Sequence, residues 1–85
     1  MATDAIPALT VFAHPYCHLC DDMIEGLRRL QVTHPFAFAV VDVDDDPLLE
    51  ARYGERVPVL VGGGRELCHY FLDSAAVTAF LAQFL

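Results

Sequence analysis

The sequence predicts an α/β domain over residues 1–85, with elements in the order β-α-β-α-β-β-α forming a four-stranded mixed sheet covered by helices on both faces. Three observations carry this. A β-prone run, an amphipathic stretch and a second apolar run follow one another between Leu9 and Val43, which is the pattern of a βαβ unit. Two β-rich runs then flank three consecutive glycines, the pattern of a hairpin. A capped apolar stretch closes the sequence. A length of 85 residues fits one domain and falls short of two.

Each element has its own local warrant. Leu9-Thr10-Val11-Phe12 is short and β-prone, and the following His14 is pushed toward an extended backbone by Pro15. From His18 onward Leu19, Met23, Ile24, Leu27 and Leu30 recur at helical spacing. Asp21, Asp22 and Glu25 stand early in that stretch and Arg28 and Arg29 late, as the helix dipole favours. Phe36 to Val43 is apolar almost throughout, which suits a strand covered on both faces. It should run parallel to the first strand through a right-handed crossover. Asp46-Pro47 is an N-cap with proline at the first helical position, and Leu48 to Tyr53 makes a short helix that Gly54 stops. Val57 to Val61 and Glu66 to Phe71 are strands joined through Gly62-Gly63-Gly64-Arg65. Asp73 caps a last helix running through Phe84, with Val77, Phe80, Leu81 and Phe84 as its apolar stripe.

Composition narrows the function. With 55% apolar and 20% charged residues, the chain is expected to fold rather than stay disordered. Its formal charge is −7, with only 5 basic residues, which argues against nucleic acid because phosphate binding rests on Lys and Arg. The longest uninterrupted apolar run, Phe36 to Val41, falls far short of the ~20 residues of a spanning helix, so no membrane association is expected. Met1 to Ala8 has neither a basic region nor an apolar core of a secretory signal, and a cytoplasmic monomer is the expectation. In that setting three cysteines point to catalysis or metal before structural disulfides.

The chemistry centres on Cys17-His18-Leu19-Cys20, where the first strand hands over to the first helix. Residues three apart at a helix start share a face, so the two sulfurs can form a small-loop disulfide. The unpaired N–H groups of the first turn favour a thiolate at Cys17, opposed in part by Asp21 at i+4. Cys20 lies one turn deeper and should be shielded. Thiol–disulfide exchange follows: Cys17 attacks a substrate disulfide and Cys20 displaces the mixed disulfide. Two other readings stay open. The pair could hold zinc or an iron–sulfur cluster with His14 or His18, although a closed zinc site needs about four ligands and Cys68-His69 would have to come from a distant strand. A domain that has kept the fold and lost turnover would serve only as a binding module.

With the Cys-x-x-Cys helix start, the later Val57-Pro58 beside a strand and the order of elements, nearly the whole chain resembles the glutaredoxin-like branch of the thioredoxin superfamily. The resemblance implies a thioredoxin-like fold, and a dithiol oxidoreductase acting on protein or glutathione disulfides, with no bound cofactor and with glutathione as a reductant. It also implies that Pro58 is cis and lies beside the dithiol, and that Val57 pairs its backbone with the substrate. The family's Pro-Tyr between the cysteines is here His18-Leu19, and Pro15-Tyr16 precede the pair instead. The basic residue ahead of the first cysteine is absent, and the family's Gly-Gly before the last helix is replaced by Leu72-Asp73-Ser74. These positions help to hold glutathione in the family, so the dithiol chemistry carries over more directly than glutathione dependence.

The remaining polar and thiol residues admit simpler readings. Tyr16 is either a wall of the substrate groove or an exposed loop residue, and His18 either tunes the thiolate or is merely exposed beside it. Cys68 reads as a small buried apolar residue before a third redox thiol, and His34 as a loop residue. Asp42-x-Asp44-x-Asp46 resembles a calcium loop in spacing only: Pro47 stands where the turn needs Gly and Tyr53 where a bidentate Glu is needed, so helix capping is the better account. Gly62 to Gly64 lacks the lysine and helix of a phosphate loop.

Overall fold

The computed structural model describes residues 6–84. The elements are β1 (Ala8–Ala13), α1 (His18–Leu30), β2 (Ala37–Asp42), α2 (Pro47–Tyr53), β3 (Val59–Gly62), β4 (Arg65–His69) and α3 (Ser74–Leu81). Short 3₁₀ turns occupy Val43–Asp45, Gly54–Arg56 and Ala82–Phe84. The predicted order is therefore observed, in a four-stranded sheet ordered β2-β1-β3-β4. β1 and β2 are parallel, Ala13 standing opposite Asp42, and β3 is antiparallel to both β1 and β4. A register shift between Leu60 and Val61 marks an irregularity in the β3–β4 ladder.

Alternation along the central strands divides the interior into two layers, because successive side chains of a strand point to opposite faces. Leu9, Val11 and Ala13 of β1 and Leu60 of β3 face one side. There they meet Cys20, Met23 and Leu27 of α1 and Val77, Phe80 and Leu81 of α3. On the other side Val59 of β3 joins Val43 and Tyr53, with Phe12, Leu49 and Val61 packed around them. The Phe12 and Tyr53 rings stack with centroids 4.2 Å apart, which seats α2 on the sheet. Helices thus cover both faces. Gly26 lets the β4–α3 link lie against α1, since a Cβ there would stand 2.6 Å from Leu72 Cδ2.

Caps and turns follow the sequence closely. Cys17, Asp46 and Asp73 are the N-caps of α1, α2 and α3, each side chain accepting a backbone N–H of the first turn. Asp42 accepts the N–H of Asp44, so two of the three alternating aspartates serve as caps, as expected. Gly63 and Gly64 both have positive φ, at 59° and 78°, which suits a two-residue hairpin turn of the type I′ kind.

Three expectations need correction. β2 is not covered on both faces: it is an edge strand, and Val40 is 49% exposed. Its apolar run reads as a central strand because composition does not tell an edge from a centre. Gly54 is the C-cap at which α2 ends, as expected, and the chain goes on from it into a 3₁₀ turn. Phe84 lies outside α3 and is 54% exposed, edge-on to Phe80, so it does not complete the buried stripe. The last two strands are shorter than predicted, β3 starting at Val59 and β4 ending at His69, where Tyr70 turns to a φ of 65°.

Arg56 bridges to the Glu66 carboxylate, and His69 Nδ1 lies 2.6 Å from the other oxygen of Glu66. The Arg56 hydrogen bond, helped by His69 and opposed by partial burial, holds the Glu66 carboxyl below its usual range. A carboxyl whose folded pKa is depressed contributes stability above its unfolded pKa and loses it as pH falls through the folded value. Glu66→Gln is therefore expected to be less stable than wild type at neutral pH, with the difference closing in acid. Urea titrations at several pH values measure this; a constant difference across the acid range would contradict the assignment.

Candidate active site

The site is built where β1 ends and α1 begins. Cys17 has an extended backbone (φ −101°, ψ 112°), as an N-cap residue does, and its Sγ accepts the Cys20 N–H at 3.1 Å. Its carbonyl accepts the Asp21 N–H at 3.0 Å, the first bond of the helical ladder. One first-turn donor, the Cys20 N–H, therefore reaches the Cys17 sulfur, and such a donor stabilises the thiolate once the sulfur is reduced. Cys17 and Cys20 form a disulfide, with Cα atoms 5.1 Å apart. The two sulfurs differ in access: Cys17 is partly exposed, whereas Cys20 is 1% exposed within the α1 core.

The surrounding residues are less uniform than the sequence suggests. The Val57–Pro58 bond is cis, as the resemblance implies. Pro58 is fully buried, and its carbonyl accepts the Tyr70 N–H at 2.9 Å. Because Phe12 stands opposite Val59, Pro58 lies at the end of the sheet from which the chain leads to Cys17. Val57 is half-buried and packs on the same core as Cys17. The Tyr16 side chain is held out into solvent, fully exposed, on a backbone with φ of 58°. His18 turns away along the helix to Asp22, at 3.7 Å, with its side chain 89% exposed. These positions favour the exposed alternative for both side chains in the oxidised form.

His14 takes up a role that the sequence left open. Its Nδ1 lies 3.0 Å from Asp44 Oδ1 and its Nε2 3.5 Å from Glu50 Oε1, so it ties the loop ahead of Cys17 to the segment after β2 and to α2. It does not join the cysteines. The only group of metal-type donors among the described residues is His14, Asp44 and Glu50, and it includes neither sulfur of the pair. Sequence reasoning missed this cluster because its members lie 30 and 36 positions from His14 and meet only through the parallel pairing of β1 with β2.

Cys68 sits on β4, half-buried, and accepts the Asp73 N–H at 3.5 Å. Burial pushes its thiol pKa up, and Asp73 and Glu66 add to that by charge, against the Asp73 hydrogen bond. A raised thiol pKa suits a packing residue rather than a nucleophile.

Comparison with known proteins places the chain. Residues 8–82 match the family model described as Glutaredoxin-like domain (DUF836). The chain belongs to this family. Among solved structures, this glutaredoxin-like chain is similar to a Nitrosomonas europaea protein determined by NMR. The two are 41% identical with a TM-score of 0.82, over 94% of this chain and 98% of that one. An X. campestris protein determined by X-ray methods is 38% identical, with a TM-score of 0.69, over 88% of this chain and 96% of that one. Thioredoxin 1 of Thermosipho africanus, at 16% identity and a TM-score of 0.59 over 91% of this chain and 92% of that one, shares the fold. Among curated sequences, an uncharacterized Mycobacterium tuberculosis protein is 28% identical over 82 residues, which is 91% of this chain and 84% of that protein. The glutaredoxin-like domain thus has a thioredoxin fold with a Cys17–Cys20 disulfide. Among its described residues no helix is long and apolar enough to cross a membrane.

Proposed function

We propose that this glutaredoxin-like protein is a dithiol thiol–disulfide oxidoreductase in which Cys17 is the attacking sulfur and Cys20 the resolving one. The observation that carries the reading is the asymmetry of the pair: Cys17 is an N-cap sulfur accepting a backbone N–H, and Cys20 is buried one turn deeper. In the reduced form the Cys17 thiolate attacks one sulfur of a substrate disulfide, forming a mixed disulfide and releasing a substrate thiol. The Cys20 sulfur then attacks Cys17 Sγ, closing the Cys17–Cys20 bond and releasing the second thiol. Two electrons and the two cysteine protons pass to the substrate.

The chain's own residues supply position and electrostatics. The first turn of α1 stabilises the Cys17 thiolate, Val57 and Pro58 border the approach to it, and Tyr16 and His18 stand exposed beside it. Protein disulfides or glutathione mixed disulfides are the substrates, a thiol such as glutathione regenerates the dithiol, and the domain works as a cytoplasmic monomer. The test is to reduce the protein, treat it with glutathione disulfide and weigh the product. An intramolecular Cys17–Cys20 disulfide is expected, whereas thiols that stay unreacted both here and with the neutral hydroxyethyl disulfide would overturn the reading in favour of a binding-only domain.

A further inference from the structure

Carboxylates dominate the end of the molecule that carries the dithiol. Asp21, in the first turn of α1, and Asp22 after it are exposed directly behind the cysteine pair. Asp44 and Glu50, both exposed, flank the loop ahead of Cys17 through His14. Asp73 is exposed at the N-cap of α3, where the chain leaves the neighbourhood of Pro58. The two histidines of this end, His14 and His18, each face these same carboxylates.

The balancing charge is elsewhere. The chain has no lysine, and its 5 basic residues are all arginines. Arg28 and Arg29 are in the last turn of α1, and Arg65 follows the hairpin turn, with Gly62 beside it opposite Leu9 near the start of β1. All three lie at the far end of the sheet. Arg52 and Arg56 lie over the Tyr53 ring on the α2 face, and Arg56 is engaged by Glu66. The approach to Cys17 thus carries these carboxylates, and the arginine next to its border in sequence, Arg56 beside Val57, is engaged by Glu66.

A second feature points to the same class of ligand. Tyr16, next to Cys17, projects its ring fully into solvent, and Phe71, one residue past the bond from Tyr70 to Pro58, is 69% exposed. Exposed aromatic faces beside a negative surface are suited to lysine and arginine side chains, which they attract through the ring quadrupole while carboxylates complete the pairing. Glutathione carries two carboxylates and one ammonium group, and would meet repulsion here.

We propose that the site acts on disulfides in basic polypeptide segments, flanked by lysine or arginine, in preference to glutathione disulfide. The inference rests on the oxidoreductase reading. Its electrostatic part is long-range and screened by salt, so it should appear mainly in the rate of encounter.

The reduced, desalted protein would be mixed in single-turnover reactions with three peptides bearing the same disulfide flanked by lysines, serines or glutamates. Glutathione disulfide and the neutral hydroxyethyl disulfide would be run beside them. At about 20 mM ionic strength the basic peptide is expected to react on the order of tenfold faster than the acidic one and faster than glutathione disulfide, the gap narrowing to about twofold near 0.5 M salt. Equal rates for the three peptides, a salt-independent gap, or glutathione disulfide reacting faster than the basic peptide would overturn the inference while leaving the oxidoreductase reading intact. Failure to react with any disulfide, the neutral one included, would instead overturn the oxidoreductase reading itself. In the isosteric variant Asp22→Asn/Asp44→Asn/Glu50→Gln the ratio of basic to acidic rates should fall by about threefold or more; an unchanged ratio would overturn the assignment to this face.

Discussion

Cys20→Ser is expected to trap the protein as a mixed disulfide with its substrate at Cys17, whereas Cys17→Ser should form almost no adduct and lose exchange by a factor on the order of 10³ or more, as removal of a nucleophile does elsewhere. The two variants differ because of access and local field. Cys17 Sγ sits partly exposed at the N-cap and accepts the Cys20 N–H at 3.1 Å, so its thiolate is both reachable and stabilised. Cys20 has the opposite setting, 1% exposed among Leu, Val and Met side chains, where an incoming disulfide has no path. Without Cys20 nothing displaces the first adduct. Peptide mapping after exposure to glutathione disulfide measures the division of labour. Cys68 serves as an internal control, since burial pushes its thiol pKa up and it should label slowly in both variants. Adduct found mainly on Cys20 in the wild-type protein would reverse the assignment.

The largest expected loss of stability is for Leu27→Ala, at about 3 kcal/mol. Leu27 is fully buried in the core that α1 shares with β1, β3 and α3. Removing its branched end takes apolar area out of the interior and leaves a cavity that the sheet cannot close, because β1 is pinned by hydrogen bonds on both sides. For a domain of this size, with total stability of about 5–10 kcal/mol, that is a large fraction. Val40→Ala on the exposed side of edge strand β2 is the contrast, with an expected change within about 0.5 kcal/mol. Urea denaturation of both variants tests the pair. A Leu27→Ala cost no greater than that of Val40→Ala would show that α1 is not seated on the sheet through this residue. Because α1 also carries the dithiol at its N-terminus, Leu27→Ala should loosen the helix that presents Cys17 and Cys20 together.

The amino-acid sequence alone determined the order of elements, the N-caps at Asp46 and Asp73, the glycine turn within Gly62-Gly63-Gly64-Arg65 and the placement of the two cysteines at a helix start. Each of these depends on residues within a few positions of one another, where spacing, a capping oxygen or the freedom of glycine decides the outcome. The tertiary structure decided the rest. It placed β2 at the sheet edge although its composition matches a buried strand, and it carried the chain past Gly54 into a further turn. It also drew His14 to Asp44 and Glu50 instead of to the cysteines, which set these two carboxylates beside the dithiol end while Arg28, Arg29 and Arg65 lie at the other. Those outcomes follow from which strands pair and in what register. Pairing joins segments far apart in the chain, and its free energy comes from burying both partners at once, so neither segment alone carries the signal.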